Sequence, residues 1–194
     1  MKKLALFFLL TFLVFPYPSV QARDIELGTI MIAGDTSFDD STIKMDYDWI
    51  HEKTETTVFD VTAGYFFARN LAAGLLIANE DSRTSDGMSV VSTWINMFGP
   101  VIAYNISLNP DFSLMLTAGF FKVSGEMSAG AGMADYDGNG IYLMGSIAYF
   151  ITDTIAVNVG LRKTDSDVDI TASGINFSAD LSELATAIGL SVFF

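Results

Sequence analysis

The chain has 194 residues, a formal net charge of −13 and no cysteine. An acid excess of this size repels phosphate backbones, which argues against nucleic acid as a partner. The lack of cysteine rules out cysteine–zinc centres and thiol catalysis, and it suits an exported chain that does not rely on disulfides.

The first element is a targeting segment. Lys2 and Lys3 precede an apolar run from Leu4 to Phe15, and Val20-Gln21-Ala22 places small residues at the spacing that a signal peptidase reads. The run is too short for a spanning helix, which needs about 20 residues. Cleavage after Ala22 removes 22 of the 194 residues and two lysines, leaving 172 residues and moving the formal charge from −13 to −15. No cysteine follows the run, so lipid anchoring there is excluded. Residues 23–194 read as one domain.

Eight segments with period-two alternation follow. They are Asp24–Ser37, Thr56–Phe67, Asn70–Asn79, Val90–Ile106, Phe112–Val123, Gly140–Ile151, Thr154–Thr164 and Phe177–Phe194. In the second, Phe59, Val61, Ala63, Tyr65 and Phe67 oppose Asp60, Thr62, Gly64 and Phe66. In the seventh, Ile155, Val157, Val159 and Leu161 oppose Ala156, Asn158, Gly160 and Arg162. Gly99-Pro100 interrupts the fourth and predicts a bulge or bend, because proline removes a ladder hydrogen bond. The last segment carries Leu184, Thr186, Ile188, Leu190, Val192 and Phe194 on one face and stops on an aromatic residue.

The connections alternate in length. Ala68 to Asn70, Ser107 to Asp111 and Thr152-Asp153 are tight and hold turn formers. Asp39 to Glu55, Glu80 to Ser89, Gly125 to Asn139 and Asp165 to Asn176 read as long, acidic loops. Three short and four long connections suit an even-stranded barrel with both termini in the periplasm and the long loops outside. Tyr65, Phe66, Phe67, Tyr104, Tyr149, Phe150 and Phe194 then fall at the periplasmic rim, where an aromatic girdle belongs. The expected fold is an all-β, eight-stranded antiparallel up-and-down transmembrane barrel. It reconciles a mean hydropathy of +0.40 with a mature chain lacking any run long enough for a spanning helix, since barrel strands need only about 9–11 residues. The rival is a soluble sandwich or lipocalin-like barrel with its apolar side chains turned inward.

The hairpins Gly64-Tyr65-Phe66-Phe67-Ala68-Arg69-Asn70 and Ala148-Tyr149-Phe150-Ile151-Thr152-Asp153, the leader and the terminal Phe194 resemble the small outer-membrane barrels of the OmpX, OmpW and OmpA-transmembrane-domain type. The likeness implies an integral protein of the bacterial outer membrane, contact with its lipid and lipopolysaccharide, and assembly by the barrel-insertion machinery through the C-terminal strand. A monomer is expected. The family spans structural and surface-interaction proteins, narrow channels for small or apolar solutes, and a few lipid-modifying enzymes. A non-enzymatic surface role through acidic loops is the first expectation and a narrow conduit the second.

Four groups of residues are candidate sites. Asp135, Asp137 and Asn139, followed by Gly140, match the first half of an EF-hand loop. Ser146 stands where the bidentate glutamate should be, so a plain turn is the stronger reading. No cofactor is expected beyond weak divalent-cation binding by the acidic loops together. Asp60, Asn158 and Arg162 give the interior its polarity, and Asp60 and Arg162 are candidates for an interior ion pair. The rest of the inward face is small, with Phe66, Met115 and Phe121 as bulk, so a wide pore is not expected. Lys122 and Lys163 share the phase of lipid-facing Phe120 and Leu161 and suit lipopolysaccharide phosphates. The periplasmic girdle is assigned to Tyr65, Phe67, Tyr104, Tyr149 and Phe194. His51, with Glu52 or Asp60 and Ser41 or Ser82, is the remote enzymatic reading; no spacing motif supports it.

Overall fold

The computed structural model describes residues 24–44, 51–85, 90–129, 132–172 and 175–194. The candidate signal peptide lies outside these residues. The strands are β1 (Ile30–Lys44), β2 (His51–Ala68), β3 (Leu71–Ser85), β4 (Val90–Ser107), β5 (Phe112–Ala129), β6 (Gly132–Phe150), β7 (Ile155–Ala172) and β8 (Ile175–Phe193). Each pairs antiparallel with the next, and β1 pairs with β8 to close the barrel. The closing seam is short: it runs from Met31↔Phe193 to Ser37↔Ala187. Backbone bonds between Ile30 and Phe194, at 2.9 and 3.0 Å, tie its lower end.

Every strand has 15 to 19 residues, well beyond the 9–11 or so that cross a bilayer. This corrects the four long acidic loops expected from sequence. Asp39 to Lys44, Glu80 to Ser85, Gly125 to Ala129 and Asp165 to Ala172 are strand, as is Asp135-Tyr136-Asp137-Gly138-Asn139-Gly140, expected as a turn. Acid, Gly and Ser content reads as loop because those residues have low strand propensity. Here the register set lower in the barrel continues upward, and each added pair satisfies backbone groups.

The tight turns form as expected, with local chemistry visible. Asn70 takes the left-handed conformation at φ 63°, which asparagine tolerates. Its carboxamide accepts from the Ile25 N–H at 2.8 Å and donates to Asp24 at 2.7 Å, tying the N-terminal segment to this turn. Asn109 accepts from the Asp111 and Phe112 N–H groups at 2.9 Å. The bulge expected at Gly99-Pro100 is absent. Phe98↔Lys122 and Val101↔Gly119 keep one register across an unpaired step; the shift lies instead between Phe66 and Ala68. Gly99 serves close approach: a Cβ there would fall onto the Phe120 carbonyl oxygen.

Ile32, Phe59, Leu75, Ile77, Phe98, Ile102, Leu116, Phe120, Leu143, Leu161, Ile188 and Leu190 are all exposed on the outer wall. An apolar belt right round a barrel far exceeds the few hundred Å² a soluble monomer tolerates. The soluble alternative, with apolar groups inward, does not fit.

Candidate functional site

The lumen is filled in three layers. At the tight-turn end, Met31, Phe66, Met115, Phe150 and Phe193 form a buried apolar cluster. Phe193 lies 6.5 Å from Phe66 and 5.5 Å from Phe150, ring centre to ring centre, and the three form an aromatic plug. Phe150, expected at the rim, therefore belongs to the lumen; Phe66, expected both at the rim and on the inward face, takes the inward place. Each is one residue out of phase with its lipid-facing neighbour Tyr149 or Tyr65. At the far end, Val58, Ile95, Val123, Val168 and Ile170 form a second buried cluster.

Between these layers lies a charged belt. The structure brings Asp60 and Arg162 together at 3.7 Å, with their side chains 1% and 2% exposed. Arg162 also donates to Glu183 at 2.5 Å. Asn158 donates to the Ser191 hydroxyl at 2.6 Å. Asp35, Glu80 and Glu183 join the belt and were missed from sequence. Glu80 fell in a segment read as loop. Asp35 and Glu183 continue the inward parity of Met31-Ala33 and Ala185-Ala187, and that parity could have found them. Four carboxylates thus face one guanidinium among the described residues. Desolvating a charge costs several kcal/mol, about as much as a good partner returns, so a belt with this imbalance is costly.

Above the belt, Glu80, Met97, Phe121, Val123, Thr164 and Glu183 line part of a cavity of about 380 Å³. Below it the aromatic plug intervenes.

The outer wall changes character along the strands. Tyr65, Phe67, Tyr104, Tyr149 and Phe194 are exposed at the tight-turn end, and Phe112 packs on Tyr149 at 4.9 Å. At the far end the amphipathic pattern inverts: on β7, Asp165, Asp167 and Asp169 point out while Val168 and Ile170 are buried. Asp135, Asp137 and Asn139 occupy alternate outward positions on β6. Successive outward groups on a strand lie roughly 7 Å apart, so they line up along the wall and do not wrap an ion as an EF-hand loop does. Opposed carboxylates recur across ladders: Glu126↔Asp135, Asp137↔Asp169 and Asp167↔Asp180. Lys122 and Lys163 sit at the border, paired with Asp137 at 3.3 Å and with Asp165.

The His51 constellation does not assemble with Asp60. The two stand nine residues apart on β2, roughly 30 Å along the strand, and Asp60 is sealed in the lumen. Ser82 bonds Thr56 at 3.1 Å.

The model of the outer membrane protein beta-barrel domain matches residues 7–182. The chain belongs to this outer-membrane β-barrel family. It is an integral protein of the bacterial outer membrane. Among solved structures, this barrel is similar to the outer membrane protein OprG from Pseudomonas aeruginosa, with a TM-score of 0.61 at 15% identity over 91% of this chain and 99% of that one. It is also similar to Neisserial surface protein A, with a TM-score of 0.56 at 14% identity over 89% and 99% of the two chains. The N-terminal barrel domain of Pseudomonas aeruginosa OprF gives 0.54 at 9% identity over 88% and 100%. These likenesses show the fold. No curated protein matches the outer-membrane barrel by sequence.

Proposed function

We propose that this outer-membrane barrel is a non-enzymatic, monomeric surface-interaction protein whose acidic outer wall engages the lipopolysaccharide layer through divalent cations. Its tight turns face the periplasm and its strand extensions stand outside. The observation that carries this reading is the outward acidic band of β5–β8, with carboxylates directly opposed across three ladders. Like charges placed so oppose pairing and give the fold nothing. A cation layer bridging them to lipid phosphates removes that cost. Lys122 and Lys163 mark the border between hydrocarbon and headgroup and add direct phosphate contacts.

The test is retention of refolded barrel on lipopolysaccharide aggregates with magnesium or with a chelator. Retention should fall on chelation and in a variant carrying Asp135→Asn, Asp137→Asn, Asp167→Asn and Asp169→Asn. Retention unchanged by both would refute the reading. A conduit for small or apolar solutes is the second reading, favoured by the cavity above the belt and opposed by the plug beneath it. Reproducible single-channel openings in a planar bilayer would make it primary.

A further inference from the structure

We propose that the upper outer wall carries a saccharide-binding groove built on Trp94, whose ligand is the core sugar of the lipopolysaccharide standing beside the barrel. The proposal rests on the orientation given above, with the strand extensions outside, and not on the cation layer.

The groove spans β2 to β6 and has a volume of about 760 Å³; Asp81, Arg83, Trp94, Glu126, Ser128 and Met133 are among the residues that line it. Ligand sites commonly measure about 300–1,000 Å³. These six residues are all exposed, on the outward face of their strands. The register sets them in two rows. Asp81, Trp94 and Glu126 are successive partners across β3, β4 and β5, so the indole has a carboxylate on each side. Two residues further up, Arg83 leads through Ser92 and Ser128 to Met133.

Trp94 is 52% exposed. Indoles also mark membrane interfaces, but this one stands beyond the hydrocarbon border. On β4, Asn96 separates it from lipid-facing Phe98, whose partner on β5 is Lys122. Four residues of strand span about 13 Å, a rise of about 10 Å along the membrane normal at the tilt of such barrels. The groove therefore faces sideways, at the depth of the sugars that lipopolysaccharide carries outside its lipid. A solute from the medium meets the strand ends first.

The lining selects the chemistry. A sugar ring presents a face of C–H groups and an edge of hydroxyls. Its C–H face suits the negative face of an indole. Carboxylates accept from hydroxyls, a guanidinium donates to ring and hydroxyl oxygens, and the serine hydroxyls do either. An acyl chain would leave the charged groups without partners, and a cationic peptide would meet Arg83.

The experiment uses the full mature chain refolded in detergent, with excess chelator throughout. The probe is core oligosaccharide freed of lipid A and of phosphate, which removes any cation bridge. Binding is read by calorimetry. Trp94 fluorescence gives a second signal in a Trp49→Phe background, where it is the only indole. The oligosaccharide should bind saturably. Trp94→Ala should weaken binding about tenfold or more, as loss of an interface anchor does. Arg83→Met should weaken it about threefold or more, and it carries the test alone if the first variant fails to show the heat-dependent gel shift of folded barrel. The outer-wall variant with Asp135→Asn, Asp137→Asn, Asp167→Asn and Asp169→Asn should bind as wild type does, and its retention on lipopolysaccharide aggregates tests the cation reading separately. No binding up to about 10 mM, weaker than about −3 kcal/mol, would overturn the proposal. So would binding that survives both groove substitutions, equal binding of a linear glucan of matched length, or a response to oligolysine alone.

Discussion

Replacing Arg162 with methionine removes the base from the charged belt and leaves Asp35, Asp60, Glu80 and Glu183 facing one another. The guanidinium is 2% exposed and lies 3.7 Å from Asp60 and 2.5 Å from Glu183. At an effective dielectric near 20, a contact of about 4 Å corresponds to roughly 4 kcal/mol of Coulomb attraction before desolvation is counted. Breaking a buried pair by removing one partner costs about 3–5 kcal/mol net, because the other charge stays buried without compensation. Arg162→Met should therefore lower stability by about that amount, read as a shift in the urea midpoint of reversible unfolding in lipid vesicles. Adding Asp60→Asn and Glu183→Gln should recover most of the loss, since a neutral set of similar volume costs little. A single substitution within about 1 kcal/mol of wild type would refute the argument. A triple variant no better than the single one would refute the stated cause.

Two glycines predict opposite outcomes. Gly99→Ala drives a Cβ into the Phe120 carbonyl and should cost about 1–3 kcal/mol or more by overpacking. At Gly145→Ala the nearest atom is a Leu116 methyl at 3.6 Å, so stability should hold within about 0.5 kcal/mol. The fraction of folded, heat-shiftable protein on a gel checks both. Leu116→Arg, on the outer wall between Tyr104 and Gly145, should cost about 2–4 kcal/mol in vesicles, while Asp81→Arg on the upper wall should cost at most about 1; equal effects would contradict the assigned belt. Phe193→Ala removes the central ring of the plug and should destabilise by about 3–5 kcal/mol. If the plug closes the lumen, it should also admit small-ion conductance that wild type lacks. A silent, folded variant would move the closure up to the belt.

Strand number, the tight turns and the outward phase of the apolar belt were legible in the sequence. The reason is local: an apolar residue on every second position leaves one arrangement in which a chain this hydrophobic avoids a soluble core. Asn70 and Asn109 likewise announce their turns through their own side-chain chemistry. Strand length was not legible. Asp165-Ser166-Asp167-Val168-Asp169-Ile170 alternates as regularly as the segment below it, but its faces are exchanged, acids outward and apolar groups inward. A reading tuned to apolar-out strands takes this inversion for a loop. The inversion marks where the wall leaves hydrocarbon for water, with the solvent changing and the ladder continuing.

The sequence by itself determined which face of each strand meets lipid, and it put Asp60, Asn158 and Arg162 on the other. Only the tertiary structure decided what meets what in the lumen. Contacts there depend on register between strands far apart in sequence. Asp35 stands opposite Asp60 because β1 and β2 pair at that offset. Arg162 reaches both Asp60 on β2 and Glu183 on β8 because closure brings β7, β8, β1 and β2 around one wall. Phe66, Phe150 and Phe193 become a plug by converging from three strands at one depth. Period-two patterning fixes the side on which a residue lies and is blind to its depth and its partner across the barrel, because every register differing by two residues preserves the same faces.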